Sequence, residues 1–172
     1  LSGIKGVPAE NIFLGNGSDE AIDLLFRIFC TPGKDNVIIF PPTYGMYEVC
    51  AETNDVLVKK VPLLDNFQLN LETIEENIDA DTKLIFVCSP NNPTGNSINR
   101  TDIEVLLNNF DGLVVIDEAY INFAKQKTFI PELSEAVKKD KVQPQEHFIK
   151  CEDWKPELIE FEKYFKAVSL PA

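Results

Sequence analysis

Two polar segments stand at the ends of apolar runs. Ser89-Pro90-Asn91-Asn92-Pro93-Thr94-Gly95 follows Leu84-Ile85-Phe86-Val87-Cys88, and Asp117-Glu118-Ala119-Tyr120 follows Leu113-Val114-Val115-Ile116. Continuous apolar runs of this length read as buried strands, and an open α/β sheet holds its ligand outside the carboxyl ends of such strands. An amide (Asn92), a carboxylate (Asp117) and a phenol (Tyr120) then share one crevice. A carboxylate that ends an apolar strand is costly without a partner. A protonated pyridine nitrogen is a suitable one, and the amide and the phenol can both donate to a phenolic oxygen on the same ring. Pyridoxal phosphate is a ring of that kind. With its nitrogen kept protonated it accepts electrons from a substrate carbanion. Two other readings of Asp117 stay open on these residues alone: a strand-end carboxylate capping the next turn, or, together with Glu118, an oxygen ligand for a metal ion.

Two further segments suit the rest of such a ligand. In Gly15-Asn16-Gly17-Ser18-Asp19-Glu20 the glycines allow a tight turn into a helix, whose first N–H groups and partial positive charge favour a phosphate. The charge of Asp19 would oppose a phosphate if the side chain pointed inward, and an ordinary capped helix is the plainer reading. In Pro41-Pro42-Thr43-Tyr44-Gly45 the prolines fix the direction in which the chain leaves a strand. Tyr44 can then stack on a flat ring, or serve as a core tyrosine at a helix start.

The elements that must position these residues alternate along the chain. Short strands are expected at Ile12–Leu14, Val37–Phe40, Asp55–Val61, Lys83–Cys88 and Leu113–Ile116. Helices are expected after Ser18, with the apolar stripe Ile22, Leu25, Phe26 and Phe29; from about Tyr44 to Ala51; near Leu71 to Asn77, opened by Asn70 or Asp65; and after Thr101, which forms a capping box with Glu104. Strands that alternate with helices imply parallel βαβ units. The fold class is α/β, a three-layer arrangement with a mainly parallel sheet flanked by helices. Beyond about Glu135 the texture changes and no further βαβ unit is visible, so the expected division is 1–135 and a divergent tail, 136–172, with a helix near 156–165.

Composition narrows the function classes. The chain has 172 residues, 44% hydrophobic and 26% charged, with net charge −12. That is a globular composition large enough for a core. The negative surface repels phosphodiester backbones, so no nucleic-acid partner is expected. No apolar run approaches the roughly 20 residues that span a bilayer, so no membrane partner is expected either. The cysteines Cys30, Cys50, Cys88 and Cys151 include no Cys-x-x-Cys pair, and there is one histidine, which speaks against a zinc site. Cys30 and Cys88 read as small core residues in a reducing, cytoplasmic setting.

Taken together, the four motifs make the chain resemble the fold-type I PLP-dependent aminotransferases, and among them histidinol-phosphate aminotransferase. Gly15–Glu20, Pro41–Tyr47, Ser89–Gly95 and Asp117–Tyr120 occur in that family's order and with its approximate spacing, across residues 1–135. The resemblance implies a large-domain fold, here truncated, and pyridoxal 5′-phosphate as cofactor. It implies that Ser18 and Asp19 belong to the helix start that binds the cofactor phosphate and that Tyr44 stacks on the ring. It implies that Asn92 and Tyr120 hold the ring oxygen and that Asp117 pairs with the ring nitrogen. It further implies amino-group transfer between glutamate and imidazole-acetol phosphate in histidine biosynthesis, small-molecule amino-acid and keto-phosphate substrates, and a homodimer.

The sequence departs from that pattern in several respects. The family's Schiff-base lysine lies after the Asp-Glu-Ala-Tyr segment in a Ser-Lys context, and this chain contains no Ser-Lys dipeptide. Its only arginines, Arg27 and Arg100, lie upstream. That lysine holds the cofactor and shuttles a proton, so no residue here is assigned as catalytic. The expectation is a catalytically incomplete fragment. The alternatives are a non-catalytic remnant that binds PLP or a partner, and a fragment of another fold-type I aminotransferase.

Overall fold

Valine, isoleucine and phenylalanine crowd three of the strands because helices cover both of their faces. The computed structural model describes residues 1–131. Within them the chain runs α1 (Ser2–Lys5), a 3-10 turn (Ala9–Asn11), α2 (Gly17–Phe29), β1 (Asn36–Ile39), α3 (Met46–Thr53), β2 (Leu57–Lys60), α4 (Leu71–Asn77), β3 (Thr82–Cys88), α5 (Arg100–Asn109), β4 (Leu113–Asp117) and a second 3-10 turn (Ile121–Phe123). The sheet is parallel throughout, in the order β2-β1-β3-β4.

Period-two alternation of strand side chains divides the core into two halves. Val37, Ile39, Leu84, Phe86 and Val115 face one way and meet Ile22, Leu25 and Phe26 of α2 and Tyr47 and Ala51 of α3. Ile38, Ile85, Val87, Val114 and Ile116 face the other way and meet Ile74 of α4 and Ile103 and Leu106 of α5. The result is the three-layer α/β arrangement expected from the sequence. β2 alone is half-exposed along its length, as an edge strand is. Among the described residues no helix is long and apolar enough to cross a membrane.

The order β2-β1-β3-β4 has a consequence for function. From β1 the chain moves to one side, to β2, and then returns past β1 to β3 on the other. The connection through α3 covers one face and that through α4 the other. Between the carboxyl ends of β1 and β3 the direction of the chain's progress across the sheet reverses, a switch point of the kind at which open α/β sheets hold ligands.

Several local expectations are corrected. Ile12–Leu14 is not a strand: it lies in an irregular stretch between the first 3-10 turn and α2, with Phe13 packed on the core. The sheet therefore has four strands among the described residues, not five. Ser18 does not cap α2. Asn16 holds the cap position, and Glu20 reaches back to accept from the Asn16 backbone N–H and side-chain amide. Thr101 does not cap α5. Asn99 does, accepting from Thr101 N at 3.2 Å, and no capping box with Glu104 forms, since Glu104 pairs with Arg100. The expectation for α4 holds from end to end, with Asn70 accepting from Thr73 N at 3.2 Å. The division at 135/136, the helix near 156–165 and Cys151 lie outside the described residues.

Candidate functional site

All four motifs gather at the carboxyl edge of the sheet. Asp117 is the last residue of β4 and pairs in register with Cys88, the last of β3. Ser89 N donates to the Asp117 carbonyl at 2.9 Å, which draws the loop after β3 against the end of β4. The Asp117 side chain is buried, 3% exposed. Its Oδ2 accepts from the Tyr47 hydroxyl at 2.7 Å, and its Oδ1 from Ala119 N at 3.0 Å. Each oxygen keeps a lone pair beyond these donors.

Glu118 points elsewhere. It is 1% exposed, and its carboxylate accepts from the Thr128 hydroxyl and, at 2.8 Å, from Phe129 N. It thus pins the returning chain beneath the site. Among the described residues, no group of three or more His, Cys, Asp or Glu is placed to hold a metal ion.

Two aromatic residues approach Asp117 from α3 and the turn before it. Tyr47 is fully buried, stacked on Phe86 with ring centroids 4.8 Å apart, and meets the Tyr44 ring edge-on at 5.7 Å. The spacing of three residues puts both on one side of the helix start. Burial pushes the Tyr47 hydroxyl well above the ordinary tyrosine value, and the adjacent Asp117 charge pushes in the same direction. Tyr44 is half-buried, and its hydroxyl donates to Asp19 Oδ1 at 2.9 Å. Its phenol is pushed up to about 12, first by desolvation, then by the bond to Asp19 and that carboxylate's charge, with smaller effects from Asp117 and Tyr120.

Ser18 and Asp19 stand in the first turn of α2, which Gly17 enters at φ +79°. A side chain is strained at that angle, so glycine is what lets the helix start there. Ser18 is half-buried beside Asp19. The Asp19 carboxylate is engaged by the Tyr44 hydroxyl.

The two consecutive asparagines differ. Asn91 is buried and structural. It accepts from the Thr43 hydroxyl at 2.9 Å and donates to Pro42 O at 2.8 Å and Thr94 Oγ1 at 2.7 Å. It ties the loop after β1 to the loop after β3, and Gly95, at φ +74°, closes the turn by donating to Asn91 O at 2.7 Å. The Asn92 side chain makes no hydrogen bond among the described residues. With Tyr120, Pro90, Pro93 and Phe123 it lines a hollow of about 280 Å³. Tyr120 is 45% exposed there, with its ring 6.5 Å from that of Phe123.

The structure thus bonds Tyr44 to Asp19 and links Tyr44 to Asp117 through Tyr47, lines one hollow with Asn92 and Tyr120, and puts Ser18 next to Asp19. The sequence reading missed Tyr47 as a partner of Asp117, and Asn91 and Thr43 as the clamp between loops. Tyr47 carried one signal, its position three residues after Tyr44. Asn91 carried none that separated it from Asn92.

Known proteins bear on the same residues. The family model for aminotransferases of class I and II matches residues 2–149. The chain is 57% identical over 133 residues to histidinol-phosphate aminotransferase of Bacteroides thetaiotaomicron, covering 77% of this chain and 38% of that protein. It is 55% identical over 135 residues to histidinol-phosphate aminotransferase of Cytophaga hutchinsonii, covering 78% and 39%. The crystal structure of histidinol-phosphate aminotransferase from Clostridium acetobutylicum superposes with a TM-score of 0.68 at 29% identity, covering 78% of this chain and 40% of that one. The chain spans about two fifths of the length of the curated relatives it matches.

Proposed function

We propose a function on one premise: this chain belongs to the class I and II aminotransferase family. The reading is that it is a segment of the large domain of a histidinol-phosphate aminotransferase, and that its part in that enzyme is to hold pyridoxal phosphate. The activity of the whole enzyme is then amino-group transfer between glutamate and imidazole-acetol phosphate, a step of histidine biosynthesis. Its partners are those small molecules and a second copy of the chain.

The observation that carries the reading is Asp117. A carboxylate 3% exposed at a strand end, with two donors already fixed and lone pairs to spare, fits a ring N–H⁺. Around it the donor set fits the remainder of the group. The Asn92 amide and the Tyr120 phenol are suited to the ring oxygen, the Tyr44 ring to one face, and the start of α2 at Ser18 and Asp19 to the phosphate. When bound, the cofactor supplies an electron sink for the substrate α-carbon. The chain's own residues bind and orient it. Asp117 keeps the proton on the ring nitrogen, and the buried Tyr47–Phe86 stack keeps water from the back of the site.

None of these residues is assigned as catalytic. The two arginines are engaged elsewhere: Arg27 with Asp23 at 2.7 Å, and Arg100 with Glu104 at 3.1 Å and over the Phe129 ring. The described cysteines Cys30, Cys50 and Cys88 are free and buried, which supports a reducing compartment. Incubation of the purified chain with pyridoxal phosphate, followed by borohydride reduction and peptide mapping, tests the assignment. Reversible binding without stoichiometric labelling of any one lysine is expected. A single stoichiometrically labelled lysine with a glutamate-dependent spectral change contradicts the incomplete-catalyst reading.

A further inference from the structure

We propose that Tyr47 is a positioning residue for the cofactor ring, acting through Asp117. This rests on the reading of Asp117 as the partner of the ring nitrogen. The Tyr47 hydroxyl is the one side-chain donor to the Asp117 carboxylate among the described residues, at 2.7 Å, and it comes from a residue 70 positions away in the chain. Hydrogen bonds to a charged acceptor in a dry site are strong and directional. With Ala119 N on the other oxygen at 3.0 Å, the carboxylate is held at both ends and cannot rotate freely about its terminal bond. The plane in which it can accept a ring N–H is therefore fixed before any ring arrives, which lowers the ordering cost of binding.

Tyr47 also has a packing role, and the two roles are separable. Its ring is clamped between Phe86, stacked at 4.8 Å, and Tyr44, edge-on at 5.7 Å. Phenylalanine preserves both ring contacts and the volume, and removes only the donor. A residue that merely fills the core tolerates Tyr47→Phe. A residue that orients Asp117 loses its effect on ligands that carry a ring nitrogen, and on no others.

The test uses the full chain and three probes: pyridoxamine 5′-phosphate, which needs no lysine for attachment, its analogue with carbon in place of the ring nitrogen, and inorganic phosphate. The wild-type chain is expected to prefer pyridoxamine phosphate over the analogue. Tyr47→Phe is expected to reduce that preference by roughly tenfold, the size of one hydrogen bond to a charged group, with inorganic phosphate affinity unchanged. Because the effect runs through Asp117, it is expected to vanish in an Asp117→Asn background. An unchanged preference in Tyr47→Phe, or additive effects of the two substitutions, overturns the proposal. A wild-type chain that does not distinguish the two ring probes overturns instead the assignment of Asp117 to the ring nitrogen.

Discussion

The Tyr44 hydroxyl donates to Asp19 Oδ1 at 2.9 Å, joining the loop after β1 to the first turn of α2 across 25 residues. One bond thereby sets two parts of the site. It holds the Tyr44 ring in place, and it engages a carboxylate of the helix start, where an anion is favoured. Tyr44 in turn meets Tyr47 edge-on, and Tyr47 donates to Asp117. A chain of four side chains runs from the phosphate end of the proposed site to the ring-nitrogen end.

The ring face and the hydroxyl of Tyr44 contribute separately. Tyr44→Ala is expected to weaken pyridoxamine phosphate about tenfold, and Tyr44→Phe by less than about threefold, since an aromatic pair is worth about 0.5–1.5 kcal/mol beyond its area. Titration followed by ring fluorescence measures both. Equal losses in the two variants contradict a stacking role.

Alkaline titration reports on the same phenols. Both Tyr44 and Tyr47 are held neutral in the folded chain, Tyr44 with its phenol pushed up to about 12. The stability that this contributes is complete below the ordinary tyrosine value of 10.0 and is lost as pH rises through the folded value. Phenolate absorbance is expected to show a late phase that coincides with unfolding and disappears in the Tyr44→Phe, Tyr47→Phe double variant. A single phase centred near 10.0 contradicts the structure.

Adjacent asparagines are expected to behave oppositely. Asn91→Ala removes two bonds between the loops and one within the loop after β3 and lowers the melting temperature. Asn92→Ala leaves the melt unchanged and weakens pyridoxamine phosphate severalfold, by the loss of one neutral hydrogen bond. Calorimetry and ligand titration on both variants separate the roles, and a reversal of the two outcomes refutes the assignment.

Glu118 is a structural carboxylate. Glu118→Ala leaves the buried Phe129 N–H without its acceptor, at a cost of about 1–3 kcal/mol in denaturant unfolding. Neutral behaviour of this variant, or a loss confined to ligand binding, contradicts that role.

Much of this was legible in the sequence because it is local. Apolar runs such as Leu84–Cys88 and Leu113–Ile116 could be nothing but buried strands, and Asn70 before Leu71–Asn77 is a cap with its helix attached. Polar residues at the ends of those runs had to meet, because parallel strands share their carboxyl edge. What failed was also local, but ambiguous. Ser18 and Thr101 are good cap residues that lost to Asn16 and Asn99, each of which lies two positions earlier; Asn99 accepts from Thr101 N, whereas the Asn16 amide donates to Glu20. Ile12–Leu14 is apolar enough for a strand, yet strandhood needs a neighbour to pair with; here Phe13 packs on the core while Leu14 is exposed. Pairings between distant segments leave no trace in spacing. Tyr47 with Asp117, and Asn91 with Thr43 and Pro42, emerge only when the sheet order brings their loops together.

A crystal structure of the full chain grown with pyridoxamine 5′-phosphate tests the central claim most directly. The expected result is the ring nitrogen within hydrogen-bond distance of the Asp117 carboxylate, about 2.7–3.0 Å, the ring over Tyr44, its oxygen at Asn92 and Tyr120, and the phosphate at the start of α2. A ring bound away from Asp117, or a phosphate at α2 with the ring turned into solvent, contradicts it.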